Sequence, residues 1–250
     1  MSNLTKISEH VHWLPPGPPD RPSLCAVVGT RRVAWLDPGS SAAHTTGFLE
    51  ALTAEGVAPP SHVALTHSHW DHVFGAAALD ASVIAHRLTA ATLIELAAID
   101  WSDEALHRRV AAGEAGPAHA ANVKEELPAP REVRIAPADV VFEEGLDLEL
   151  GGVTVRVRHV GGDHAADSCV MFVEPDRVLF LGDCLYESPD GGITPERALP
   201  LHAEVLAFDT ELFVEGHGES VLPRSDVARI LGELRESIEG GTADTAGEEL

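Results

Sequence analysis

Positive charge is scarce in this chain. Its 250 residues carry 17 Lys and Arg against 40 Asp and Glu, a formal net charge of −23. A surface of that sign repels phosphate backbones, which excludes nucleic acid as an expected partner. Cysteine is also scarce. Cys25, Cys169 and Cys184 are odd in number and scattered, with no CxxC pair, so a disulfide framework is excluded. Aromatic residues make up 5% of the chain, with a single tyrosine, Tyr186. No apolar run is long enough to span a bilayer. The first eleven residues are polar and lack the apolar stretch of a signal peptide, so a cytoplasmic location is expected.

What is present is an ordinary globular composition, 44% hydrophobic, at a length that suits one large domain or two small ones. Residues 24–29 and 32–36 read as strands of a hairpin, after a first strand over 7–14 and a rigid Pro15–Pro19 loop that could flap near a site. Then strand and helix alternate: helix 45–55, strand 63–66, short helix 73–79, strand 81–85, helix 87–98. That is the pattern of a sheet covered by helices. Residues 99–130 read as an inserted helical segment, either a cover or a solvated connection. Strands dominate again over 133–135, 140–142, 146–150, 153–159, 168–174, 177–181 and 212–214. A helix end is expected at 204–208 and a closing amphipathic helix at 226–238. Residues 1–239 are therefore expected to form one domain, and the acidic stretch 240–250 a disordered tail. Two β-rich halves of this kind pack sheet on sheet, helices outside, an α/β architecture.

The chemistry concentrates in Thr66-His67-Ser68-His69-Trp70-Asp71-His72. Three imidazoles and a carboxylate follow an apolar strand. Residues two apart in an extended chain point the same way, so His67 and His69 can share one ion. Asp71 and His72 follow as the chain turns into a helix, and reach a second ion beside it. Nitrogen and carboxylate ligands without thiolate suit zinc, and also iron or manganese. A lone histidine among the 14 here would be an ordinary side chain, but this density is not. His164, Asp183 and His217 each stand just after an apolar strand in a glycine-bearing turn. With the first four they make seven candidate ligands. Asp37, at a strand end, reads equally as a turn residue or as a carboxylate that orients a metal-binding histidine. Trp70 and Cys184 read as packing residues, His159 on an alternating strand needs no metal, and His86, after a strand, could lie near the pocket.

The Asp37 turn, the HxHxDH run and then His164, Asp183 and His217, in that order, resemble the five motifs of the metallo-β-lactamase superfamily across residues 7–235. The resemblance implies a four-layer αββα sandwich with the metals at one edge of its sheets. It implies His67, His69 and His164 on one ion, Asp71, His72 and His217 on the other, and Asp183 bridging. Two ions roughly 3.5–4 Å apart bring a shared water to a pKa of ~7 and stabilise an oxyanion. A dizinc hydrolase attacking the carbonyl of an ester, thioester or lactone is thus expected, with Asp71, Asp183 and Tyr186 as catalytic candidates. Asp71 would orient the nucleophile or pass a proton, and Tyr186 would hold the substrate carbonyl, as in the lactonase branch. An aspartate at the bridging position and the bare N-terminus weigh against a true β-lactamase. Only about thirty residues follow His217, too few for the helical extension of glyoxalase II, which weighs against a glutathione thioester. The alternatives are an iron-dependent sulfur dioxygenase of this fold, a phosphodiesterase, a β-lactamase and a non-catalytic metal-binding module. The partner expected is a small-molecule substrate, with no membrane; oligomeric state is not readable.

Overall fold

A computed structural model describes residues 3–189 and 191–240. The expected tail over 241–250 lies outside the described residues. Seven strands form the first sheet in sequence order: β1 (Thr5–Lys6), β2 (Val11–Leu14), β3 (Leu24–Val28), β4 (Val33–Leu36), β5 (His62–Ala64), β6 (Ser82–His86) and β7 (Val140–Phe142). The first four pair antiparallel and the last four parallel, as helical crossovers require. Those crossovers use α1 (Ala42–Ala54), α2 (Trp70–Val73) with a short 3-10 turn after it, and α3 (Arg87–Ala97). α4 (Asp103–Ala111) and α5 (Pro117–Glu126) follow before β7.

The second sheet runs β13-β12-β11-β10-β9-β8, from β8 (Gly145–Glu149), β9 (Thr154–His159), β10 (Cys169–Glu174), β11 (Val178–Gly182), β12 (Leu212–Glu215) and β13 (Leu222–Pro223). α6 (Pro195–Ala207) and α7 (Arg224–Glu239) close the chain.

Alternation explains the layers. In β4, Ala34 and Leu36 face the second sheet, while Val33 and Trp35 face Phe48 and Leu52 of α1. In β11, Val178 and Phe180 face the first sheet, and Leu179 and Leu181 pack with Leu201 of α6 and Leu231 of α7. Central strands buried on both faces need continuous apolar runs, which is why these two segments show so little polar alternation. Three apolar layers separate four structural ones, the αββα sandwich that the motifs implied. Among the described residues no helix is long and apolar enough to cross a membrane.

Four expectations need correction. The first strand, expected over 7–14, is confined to Val11–Leu14, with the separate two-residue β1 before it. Residues 133–135 form no strand: Val133 and Ile135 pack on the helix-side core, and β7 takes the sheet edge instead. The helix expected from residue 45 starts at Ala42, because Ser41 caps it by accepting the His44 N–H at 3.1 Å. The helix end expected at 204–208 is the last part of α6, which begins at Pro195 and contains Pro200. Pro195 suits the first helical position, and burial of Ala198, Leu201 and Val205 offsets the missing N–H of Pro200 inside the helix.

Candidate metal centre

The centre is assembled at the ends of β4, β5, β11 and β12, where four strands from two sheets run out together. Asp37, just past β4, is fully buried and adopts a left-handed φ of 60°. Aspartate tolerates that conformation better than most residues. Its carboxylate accepts the Thr66 N–H and the Thr66 Oγ1 hydroxyl, each at 2.7 Å, and so ties the end of β4 to the loop after β5. The same carboxylate accepts from His72 Nδ1 at 2.7 Å. This pins the ring and turns Nε2 toward the centre. Asp37 thus stands both at the turn after β4 and against the His72 ring.

His67 and His69 leave β5 extended, with ring centroids 4.5 Å apart. His69 is the residue before α2, and Asp71 and His72 sit in the first turn of that helix. His164 arrives from the glycine turn after β9, its Nε2 3.0 Å from His69 Nδ1. Asp183 follows β11. Gly182, at φ 53°, lies so close to Thr66 that an added Cβ would stand 2.8 Å from the Thr66 Cβ. His217 follows β12, its Nε2 3.1 Å from Asp71 Oδ2.

All seven candidates converge in two groups. His67, His69 and His164 form one. Asp71, His72, Asp183 and His217 form the other. Within each group the ligand atoms lie within 4.8 Å of one another. Asp183 stands between the groups. Its Oδ2 is 3.2 Å from His72 Nε2, 3.3 Å from His164 Nε2, 3.6 Å from His217 Nε2 and 3.8 Å from His67 Nε2.

The electrostatics fit a bound cation. Buried His67 Nε2, His72 Nε2 and Asp183 Oδ1 have no hydrogen-bond partner. Orphaned polar atoms of this kind are costly unless something else satisfies them. Burial, with His72 beside it, holds His67 well below the usual imidazole range, so the ring is neutral. Burial opposes the charge on Asp183, yet His72 and His164 keep its carboxyl well below the usual range. Burial also opposes a charge on His72, but Asp183, Asp71 and Asp37 drive its affinity for a proton well above normal. Three buried carboxylates demand a positive charge among them, and a divalent ion supplies it better than one proton.

The centre opens into a cavity of about 870 Å³. Ser68, Trp70 and Tyr186 line it near the ligands, and Arg109, Gly116 and His119 of the 99–130 segment form the far wall. That segment thus borders the site rather than serving as a solvated connection. The Tyr186 hydroxyl oxygen accepts the His217 N–H at 3.1 Å. Trp70 is 4% exposed and packs mainly into the helix-side core. Cys184 is buried, and burial pushes its thiol well above the usual range. His86 stacks on His159 at 3.9 Å, as a pair away from the ligands. Asp20 and His119 line the cavity and Asn122 bonds Asp20, and the motifs of the sequence mark none of the three. Only their place in a proline-rich loop or in the insert could have signalled them.

His44 lies behind the centre. It is buried, and its Nδ1 accepts the Ser40 N–H at 3.4 Å. Burial first, then Arg21 and His72, push its pKa down to about 3. The unfolded chain, with a pKa of ~6.5, binds this proton more readily. Stability from a neutral His44 is therefore complete above pH ~6.5 and is lost as pH falls toward 3. Between pH 6.5 and 5 the loss is about 2 kcal/mol, at ~1.36 kcal/mol per unit. Urea midpoints of metal-free protein should drop over that range, and His44→Gln should flatten the slope by that share. Parallel slopes would show that His44 is not the group responsible.

A family model for the metallo-beta-lactamase superfamily matches residues 18–242. No curated protein matches the chain. Solved structures do. A metallo-beta-lactamase family protein from Thermus thermophilus is 22% identical, with a TM-score of 0.66 over 94% of this chain and 81% of that one. A metallo-beta-lactamase from Pontibacter korlensis is 18% identical, with a TM-score of 0.65 over 94% and 99%. The sec-alkylsulfatase Pisa1 from Pseudomonas sp. is 14% identical, with a TM-score of 0.69 over 96% of this chain but 42% of its own. Identities this low speak for the fold alone, whereas the family match spans most of the sequence. By that match, and with the two-sheet sandwich and its histidine-rich edge in agreement, the chain belongs to the metallo-β-lactamase superfamily.

Proposed function

We propose that this protein is a metal-dependent hydrolase that holds two ions, zinc before iron or manganese, and cleaves an ester, thioester or lactone at its carbonyl. His67, His69 and His164 would hold one ion, Asp71, His72 and His217 the other, and Asp183 both. The observation that carries the reading is the position of Asp183 Oδ2, 3.2–3.8 Å from histidine nitrogens of both groups. When bound, such a pair of ions supplies Lewis acidity and an acidified water at neutral pH.

The rest falls to the chain itself. Although burial opposes it, His72 and His217 hold the Asp71 carboxyl far below its ordinary range, so it is ionised and accepting. It can orient an attacking water and later carry its proton to the leaving group. Tyr186 braces the His217 backbone and borders the cavity, where its hydroxyl can meet a substrate carbonyl. Trp70 and residues of the 99–130 segment line the cavity beside these groups.

The test is metal analysis joined to a substrate panel of esters, thioesters, lactones, β-lactams and phosphodiesters. Two zinc ions per chain, carbonyl hydrolysis and its loss on chelation are expected. Iron with oxygen uptake on a persulfide would replace this reading by the dioxygenase one, and no turnover of the loaded protein by the binding module. Asp71→Asn with full metal content and unchanged turnover would remove the proton role.

A further inference from the structure

The 99–130 insert grips one short loop at two adjacent residues. Asn122 and Glu126 are four apart on α5 and so share a face. Asn122 Nδ2 donates to Asp20 Oδ2 at 3.0 Å. Arg21 Nε donates to both carboxylate oxygens of Glu126, at 3.0 and 2.9 Å. The Glu126 side chain is almost wholly buried and also accepts from Ser40 Oγ at 3.1 Å and from Ser41 Oγ. The loop is itself closed by paired backbone bonds between Gly17 and Arg21, at 2.9 and 2.7 Å. A proline-rich loop locked at its base and held by two side chains has little freedom.

That grip aims Asp20. Its Oδ2 is taken by Asn122, and its Oδ1 lies 3.9 Å from His217 Nδ1. His217 turns its other nitrogen, Nε2, to Asp71 and Asp183. The arrangement parallels Asp37, which holds His72 Nδ1 while His72 Nε2 faces the same two carboxylates. A metal-binding histidine needs its outer N–H engaged, because that bond selects the tautomer and the ring orientation. Among the described residues Asp20 is the carboxylate recorded beside His217 Nδ1. At 3.9 Å the pair is at ion-pair range, longer than a hydrogen bond.

We infer that Asp20, held by Asn122 of the insert, is the positioning carboxylate for His217 and sets affinity at the second metal position. This rests on the two-ion reading above. It makes α5 part of the metal site's scaffold. The insert then acts on metal retention as well as bordering the cavity.

The experiment is stepwise zinc titration of the metal-free 250-residue chain by calorimetry, with metal content by mass spectrometry. Wild type is compared with Asp20→Asn, Asp20→Ala, Asp20→Glu, Asn122→Ala and His217→Ala. Asp20→Asn and Asp20→Ala should weaken one of two binding steps about 10–100-fold and leave the other unchanged. Asp20→Glu should recover part of the loss, and Asn122→Ala should show a smaller loss at the same step. The affected step should be the one that His217→Ala abolishes, with metal-free melting temperatures near wild type. If both Asp20→Asn and Asp20→Ala keep wild-type affinity at that step, Asp20 has no positioning role. A wild-type protein that binds a single ion, indifferent to His217→Ala, would remove both this inference and the two-ion reading.

Discussion

Gly216→Ala is expected to lose one ion per chain and about 100-fold or more of hydrolytic turnover. An added Cβ would fall directly on Asp183 Oδ1, and would stand 3.1 Å from Asp183 Cγ and from His72 Cε1. Two proposed ligands of the shared position would have to move at once. The backbone cannot yield instead. Gly216 N–H donates to Gly182 O at 2.8 Å, and Gly216 O accepts the Ser23 N–H. Misplacement of a reacting group by about 1 Å costs on the order of 100-fold in rate. The smallest substitution available thus acts on the centre without touching a ligand chemically. Metal content and turnover, beside an unchanged far-UV spectrum, check it. A variant with two ions and wild-type turnover would show that Asp183 has more room than this geometry allows.

Asp37→Ala should lower zinc affinity about 10–100-fold, the usual effect of losing the carboxylate behind a metal-binding histidine. It should also destabilise the metal-free protein by about 3–5 kcal/mol, the range for breaking a buried charged pair. Asp37 accepts from the Thr66 N–H, from Thr66 Oγ1 and from His72 Nδ1, and all three donors are buried. Removing it strands them together. Alanine also fits the φ of 60° poorly. Asp37→Asn separates these effects. It keeps the tolerance of that backbone and an acceptor for Thr66, but brings an amide that cannot accept as a carboxylate does from His72. The asparagine variant should therefore recover much of the folding stability and little of the metal affinity. Equal recovery of both would mean that Asp37 serves only as a turn and strand tie. Zinc calorimetry and urea unfolding on the same preparations decide between them.

The ligand types were legible because local spacing carries their meaning. His67, His69, Asp71 and His72 are close in sequence, so the geometry of an extended chain entering a helix already places them on two neighbouring positions. His164, Asp183 and His217 are singly commonplace; they became legible through their order after apolar strands and the resemblance that order carries. Strands such as β4 and β11 were legible because burial on both faces leaves a continuous apolar run. Residues 133–135 misled for the converse reason. Val133 and Ile135 alternate as a strand does, but alternation does not supply a pairing partner, and β7 holds the available edge. α6 was hidden by Pro200, whose local penalty is outweighed by packing against the second sheet, whereas Pro195 suits the first helical position.

The αββα arrangement came through the resemblance; by itself the amino-acid order determined two β-rich halves with helices outside, the kinds of candidate ligand at hand and the expectation of two groups of them. Those follow from side-chain chemistry and from backbone periodicity over a few residues. Only the tertiary structure decided that Asp183 Oδ2 faces both groups, that Gly216 leaves room for no side-chain carbon, and that Asn122 holds Asp20, 102 positions away in the chain, beside His217. Such contacts depend on how two sheets and an insert pack together, and no pattern within a short window encodes a distance between residues that far apart.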